Sequence, residues 1–192
     1  MTLAEHMARG LFVGWQFLRF DPSAIKFLEM GGRGALRSFL ALAFTLPIYA
    51  LSVYLVGLDV NTPRFAATPM AALLAGHILV VPLFAVVMFY LARMLGLGGR
   101  FTLFLSAYNW SRVYALLLLL PAEVLIGFRL FPSWADNLLL VATASAVIFY
   151  QSTVARVALN AGHFHGVLIA IFDWVLIFLV EATVKGFFVP PA

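Results

Sequence analysis

Apolar residues fall into about five long stretches of this chain, each near or above 20 residues, and polar residues gather between them. A helix needs about 20 apolar residues to cross the hydrocarbon core of a bilayer. In that solvent only a helix satisfies the backbone polar groups of such a segment internally. The pattern predicts an all-α, polytopic transmembrane bundle of five spans, at 35–58, 69–95, 101–128, 135–159 and 165–188.

A different pattern precedes the first span. Over residues 3–19 the apolar side chains recur on one face of a helix, and polar side chains form a narrow strip opposite. Such an amphipathic helix lies in the membrane interface or packs on the bundle or a partner, and the pattern fits both. We therefore divide the chain into an N-terminal arm, 1–32, and a five-span domain, 33–192. The predicted apolar face comprises Leu3, Met7, Leu11, Trp15 and Leu18.

Within the arm, Asp21 followed by Pro22 is typical of a helix start, with Asp as the N-cap. The short helix that follows is expected to end near Met30, before Gly31 and Gly32. Glycine adopts a positive φ at little cost, which suits a helix end.

Composition agrees with a membrane protein. Apolar residues make up 64% of the chain, and the mean hydropathy is +1.04. The net charge of +4 comes mainly from residues outside the spans, so anionic lipid headgroups, rather than nucleic acid, are the expected partner of these cations. With no cysteine, disulfides, thiolate zinc sites and thiol nucleophiles are excluded. The candidate interface residues are Trp15, Arg9, Arg19, Lys26, Arg33 and Arg37.

Basic residues near the span ends predict the orientation. Eight of them fall on the side of the arm and three on the other side, with Arg112 left out because it lies within a span. We therefore expect a cytoplasmic N-terminus. With five spans, the C-terminus lies on the opposite side.

Polar residues deep in a span are costly and are candidates for function. In the third span Asn109, Arg112 and Glu123 share one helix face. Counted from the inner surface, Arg112 lies roughly 16 Å deep and Asp173 of the fifth span roughly 14 Å deep. This match predicts a buried Arg112–Asp173 ion pair, with Asn109 or Tyr108 completing its hydrogen bonds. The pair either fixes helix register or belongs to an ion or proton path.

Histidines offer two further candidate sites. His77 in the second span could join a proton relay with Asp173 or Glu123, and a bond to a helix carbonyl is the simpler expectation. His163 and His165 are two residues apart and could contact a metal. Without a third ligand at a clear spacing we expect a solvated pair, no bound metal and no cofactor.

A family resemblance is carried by the segment between the second and third spans. Its features are Ala92-Arg93, glycines from Gly96 to Gly99, Phe101, Tyr108 and Pro121, after the earlier glycines Gly31, Gly32 and Gly34. In these residues the chain resembles the bacterial branch of the Yip family of small five-span membrane proteins. The resemblance implies a five-span fold, a cytosolic N-terminus and residence in the bacterial inner membrane. It implies no particular activity.

Three functions fit these features. The first is a non-enzymatic membrane scaffold, assembly factor or accessory subunit, whose partners are other membrane proteins or a second copy. Short loops and the lack of a nucleophile–base–orienter set favour it. The second is a small transporter or channel that uses the polar residues within the spans. The third, less favoured, is an intramembrane lipid-modifying enzyme.

Overall fold

The computed structural model describes residues 2–57 and 69–188. Throughout these two ranges the regular structure is helical, without a strand, which confirms the predicted fold class. Short 3-10 turns at Pro22–Phe27, Ser38–Ala41 and Gly98–Arg100 join some of the helices. The helices are α1 (Leu3–Leu18), α2 (Gly32–Arg37), α3 (Leu42–Gly57), α4 (Met70–Met94), α5 (Phe101–Gly127), α6 (Ser133–Leu159) and α7 (His163–Phe188).

Five helical segments are long and apolar enough to cross a membrane. Their limits agree with the predicted spans to within about three residues at each end that the structure describes. The predicted end of the first span, residue 58, lies outside the described residues. The segments are Gly32–Gly57, Met70–Met94, Gly98–Gly127, Ser133–Leu159 and His163–Phe187.

Two of the predicted turns end helices by left-handed backbone. After α4, Gly96 has a φ of +72°. After α6, Asn160 has a φ of +55°, and the Ala161 amide donates to the Arg156 carbonyl. This hydrogen bond satisfies one of the carbonyls that a helix end leaves without partners.

The centre of the bundle is α5, which contacts α1, α2, α3, α4, α6 and α7 or the turns between them. Every residue from Phe104 to Val113 is buried. A helix that is buried all round belongs to a core. The largest buried side chains include Trp110 and Tyr108 of α5 and Phe84 of α4. Side chains of α5 are therefore placed to bond with several neighbouring helices.

The arm helix α1 packs on α5 by a face turned from the predicted apolar face: Met7, Leu11 and Leu18 pack against the core as predicted, but they are only partly buried. Its buried residues are His6, Gly10, Val13, Gly14 and Phe17, while Leu3 and Trp15 are half exposed. The reason is close approach: the Trp110 ring fills the space beside Gly10, and the Tyr114 ring fills the space beside Gly14. The residues exposed on the other side include Phe12, so α1 both packs on the bundle and presents apolar side chains outward.

The segment after α1 is shorter than predicted. Asp21 caps it by accepting a hydrogen bond from the Ser23 amide at 3.0 Å. The 3-10 turn ends at Phe27, before the expected Met30. Gly31 therefore does not end this helix as expected; it has a φ of +88° and lies at the N-cap position of α2.

Candidate functional site

The structure brings Arg112 and Asp173 together as the ion pair that their depths predict. An Arg112 Nη2–H donates to Asp173 Oδ1. The Tyr108 hydroxyl and the Gln151 side-chain amide donate to Asp173 Oδ2, at 3.3 Å and 3.4 Å. Asp173 is fully buried. Its carboxylate therefore receives three donors, two from α5 and one from α6.

Aromatic rings surround the guanidinium of Arg112. It lies 4.9 Å from the Phe84 ring centre and 5.7 Å from that of Tyr108. Those two rings stack on each other at 4.9 Å. Ring faces attract a cation, and the attraction is larger where water is excluded. The surroundings thus stabilise a charged arginine away from solvent.

Gln151 is the member of this site that the sequence interpretation missed. Its side-chain oxygen accepts from the Trp174 indole N–H at 3.3 Å, while its amide donates to Asp173. Counting residues from the α6–α7 turn gives similar depths for Gln151 and Asp173. This is the same signal that predicts the Arg112–Asp173 pair.

Asn109 does not bond to the ion pair. Its side-chain amide donates to the Ser38 hydroxyl at 2.8 Å, and Ser38 in turn donates to the Ala35 carbonyl at 2.6 Å. Of the two candidates for completing the pair, Tyr108 does so. Asn109 instead ties α5 to the start of the first span.

Glu123 lies away from the pair, 11 residues further along α5, or roughly 16 Å. The Ser52 hydroxyl donates to its carboxylate. His77 contacts neither Glu123 nor Asp173 by a described hydrogen bond. Its Nε2 lies 3.1 Å from the Thr45 hydroxyl, so a hydroxyl, not the expected helix carbonyl, is the partner of this nitrogen.

The candidate metal residues lie at the start of α7. His163 Nε2 is 3.1 Å from an Arg156 guanidinium nitrogen. Among the described residues no group of three or more histidine, aspartate or glutamate side chains could hold a metal ion.

A second charged cluster joins the arm to the first span. Glu29 lies 3.3 Å from His6 Nδ1 and 3.2 Å from Arg37 Nη1. Burial lowers the pKa of His6, against the opposite effect of Glu29. Desolvation acts to raise the pKa of Glu29, but the Arg37 hydrogen bond and charge outweigh it, so that pKa lies below its ordinary value.

Of the candidate interface residues, Arg37 belongs to this cluster and the others lie on the surface. Trp15 is 49% exposed, and Arg37 is half-buried against Glu29. The exposed cations of the set are Arg9, Arg19, Lys26 and Arg33.

The chain matches no family model, no curated protein and no solved structure. The Yip resemblance therefore stays a prediction.

Proposed function

We propose that the protein is a non-enzymatic integral membrane scaffold or accessory subunit that works by association with other membrane proteins. The observation that carries the proposal is the bonding of Asp173. Both of its oxygens are occupied by donors from neighbouring helices. A buried polar group satisfied in this way fixes the register of the helices it joins. The hydrogen bonds to Asp173 therefore favour a bundle of fixed shape.

Two outward faces of the bundle differ in a way that supports association. The outward face of α7 carries large side chains, including Val175, which is 46% exposed, and Phe178. The outward face of α6 also exposes large residues, but these flank a group of exposed small residues; the large ones are Leu138, Val141 and Phe149, and the small ones are Ala142, Ser145 and Ala146. Small residues let helix backbones approach closely within a bilayer. The occupant we propose for the α6 face is a transmembrane helix of a partner subunit.

The arm supports the proposed location at the cytoplasmic face of a bacterial inner membrane. Phe12 and Trp15 are exposed next to the exposed cations Arg9 and Arg19. Aromatic and basic side chains on one amphipathic helix suit an anionic membrane surface. Arg64, used in the orientation argument, and the C-terminal Ala192 lie outside the described residues.

The test is purification from the native membrane in mild detergent, with the mass of the particle measured by light scattering. We expect the wild-type chain to elute with a partner in fixed stoichiometry. Ala146→Phe, which puts a ring among the small residues Ala142, Ser145 and Ala146 of α6, should lose that partner. The control Val175→Phe adds a ring to the α7 face, already lined by large residues, and should keep it.

Two results would contradict the proposal. One is a wild-type particle that is strictly monomeric without a partner. The other is a partner that Ala146→Phe and Val175→Phe retain equally, because binding would then not involve the α6 face. A homodimer sensitive to Ala146→Phe would retain the scaffold function but replace the partner subunit by a second copy.

A further inference from the structure

The arm helix α1 crosses α5 at a steep angle. The His6 ring lies 5.9 Å from the Trp110 ring, and Gly14 packs against the Tyr114 ring and the Trp110 carbonyl. Between them the Leu11 carbonyl accepts a hydrogen bond from the Tyr114 hydroxyl at 2.8 Å. From His6 to Gly14 a helix advances about 12 Å, but from Trp110 to Tyr114 only about 6 Å. One turn of α5 therefore contacts more than two turns of α1, which two parallel helices would not show.

Beyond α5 the arm reaches α6, again well inside the bundle. The Gly14 carbonyl accepts from the Tyr150 hydroxyl at 2.9 Å, and the Phe20 ring lies 6.3 Å from the Phe149 ring. Counted from the start of α5, Tyr114 lies about 20 Å deep, and counted from the end of α6, Tyr150 lies about 14 Å deep. Both counts begin on the side of the α6–α7 turn, because successive spans alternate in direction.

This depth lies within the hydrocarbon of a flat bilayer. Both α5 and α6 have 27 residues and are about 40 Å long, whereas the hydrocarbon core is about 30 Å thick. A bundle centred in the bilayer leaves about 5 Å of each helix outside the hydrocarbon at either end. The arm therefore crosses the bundle roughly 10–15 Å inward of the edge where the acyl chains begin.

At the same height, the side of the bundle formed by α7 is apolar. Asp173 of α7 bonds to Arg112, which lies between Trp110 and Tyr114, so Asp173 marks the height of the arm. Between Asp173 and His163, at the α6–α7 turn, every side chain that α7 exposes is apolar. Acyl chains can therefore cover this side along its whole inner half. The exposed residues are Phe164, Val167, Leu168 and Ile171.

The side covered by the arm is charged at this height. Phe12, Trp15 and Arg19 follow one another along one face of the arm, and Arg9 is exposed beside them. Glu5 is the exposed acidic residue of the segment 3–19, so the exposed charge of this segment is positive. Arginine among acyl chains is costly, and a bilayer responds by local thinning that brings headgroups to the charge. Aromatic side chains also favour the headgroup level.

The part of α6 between the arm and the α6–α7 turn is polar on the same face. Phe149 meets the arm. It is followed at helical spacing by Thr153, Arg156 and Asn160, none of which is buried. Headgroups that reach the arm therefore pass polar side chains, whereas headgroups beside α7 would pass apolar ones.

We propose that headgroups of anionic phospholipids cover the outward face of the arm, in the leaflet on the side of the α6–α7 turn. The bilayer is then thinner beside the arm than beside α7. Arg9 and Arg19 bind the lipid phosphates, and Phe12 and Trp15 lie beside the glycerol groups. Thinning costs a modest energy per ångström, which the arginine–phosphate contacts offset. This inference requires only that the five helices span a bilayer, and it is independent of the partner proposed for α6.

The test is fluorescence quenching of the purified full chain in liposomes of phosphatidylglycerol and phosphatidylcholine. Since the chain contains no cysteine, one introduced cysteine carries the fluorophore. Ala8→Cys places it on the exposed side of α1, and Ile171→Cys places it on the exposed side of α7, two residues from Asp173. Nitroxides are attached to the lipid headgroups in one set of liposomes and to the middle of the acyl chains in another. We expect the headgroup nitroxide to quench Ala8→Cys more than the chain nitroxide does, and the reverse for Ile171→Cys.

The role of the arginines is tested in the Ala8→Cys chain. Arg9→Gln combined with Arg19→Gln should shift the quenching from the headgroup nitroxide toward the chain nitroxide. The control Arg100→Gln removes an exposed arginine at the start of α5 and should leave the quenching unchanged. All of these variants replace exposed side chains, and each must elute as the wild-type particle does.

Three results would overturn the proposal. An equal ratio of headgroup to chain quenching at the two labelled positions would show that the bilayer has the same thickness on both sides. Quenching of Ala8→Cys by neither nitroxide would show that water or a second copy covers the arm. Unchanged quenching in the chain without Arg9 and Arg19 would show that these cations do not hold the headgroups.

Discussion

Within residues 2–57 and 69–188, two clusters pair an arginine with an acidic residue, and their surroundings are opposite. The Arg112–Asp173 pair lies inside the bundle, where the side chains are 7% and 0% exposed. The Arg37–Glu29 pair joins the arm to the first span, with side chains 20% and 21% exposed. Water can replace a lost partner at the second pair but not at the first. The same charges should therefore differ greatly in their effect on stability.

The largest expected effect comes from removing one member of the inner pair. Arg112→Leu leaves the Asp173 charge buried without its counter-ion, and such a change costs about 3–5 kcal/mol. Thermal unfolding in detergent should show it as a large loss of stability. The control Arg100→Leu removes an exposed arginine at the start of α5 and should stay within about 0.5 kcal/mol of wild type. If Arg112→Leu and Arg100→Leu change the stability equally, the buried arginine contributes no more to stability than the exposed one, which would contradict this expectation.

The next largest effect concerns the contact that holds the arm against α5. Gly14→Leu places a side chain where the Tyr114 ring lies, and overpacking of this kind costs about 1–3 kcal/mol. We expect α1 to detach and trypsin to cleave faster at Arg9 and Arg19. The control is Gly186→Leu, since the space beside Gly186 is open. Unchanged cleavage in Gly14→Leu would show that α1 does not depend on this approach.

A smaller effect is expected from single hydroxyls that bond to the arm backbone. Tyr150 donates to the Gly14 carbonyl at 2.9 Å, and Tyr114 donates to the Leu11 carbonyl at 2.8 Å. Tyr150→Phe removes one such bond and should cost about 1 kcal/mol. Hydrogen exchange of the α1 amides should rise in this variant, with the spans unaffected. Faster exchange throughout the bundle would instead indicate a role in the core.

The smallest effect is a pH dependence of the outer cluster. The pKa of His6 is lower in the folded protein than in the unfolded chain. As the pH falls, the unfolded chain therefore binds a proton at His6 before the folded protein does. Stability should therefore be complete above its ordinary value of 6.5 and fall as the pH drops below it. Glu29, also with a lowered pKa, should lose its contribution below its ordinary value of 4.5. Hydrogen exchange of α1, corrected for intrinsic rates, measures both. His6→Phe should abolish the loss of stability that begins below pH 6.5. If that loss is unchanged in the variant, His6 is not its source.

Sequence reasoning predicts the spans well because hydrophobic length alone determines them. It also predicts the Arg112–Asp173 pair, because two costly charges at one depth have few other partners. It is only partly right for the arm, where the close approach of Gly10 and Gly14 to Trp110 and Tyr114 turns the buried face of the helix. Apolar periodicity gives glycine little weight, so this contact is not visible in the pattern.

The other misses concern which polar side chains meet across helices. Gln151, bonded to Asp173, and Thr45, bonded to His77, are uncharged and common in helices. Their sequence positions do not distinguish a partner in the bundle from a bond to their own helix. Counting residues from the membrane surface shows which polar side chains lie at the same depth. Whether two of them meet also depends on how each helix is rotated about its axis, and that rotation depends on the packing of all the spans.

The stability of the bundle depends on Arg112 and Asp173 acting as a pair. A double-mutant cycle tests it most directly, by unfolding of Arg112→Leu, Asp173→Leu and the double variant under one set of conditions. We predict that each single variant loses about 3–5 kcal/mol, and that the double variant returns to within about 1 kcal/mol of wild type. A double variant that loses the sum of the two single losses would contradict the claim.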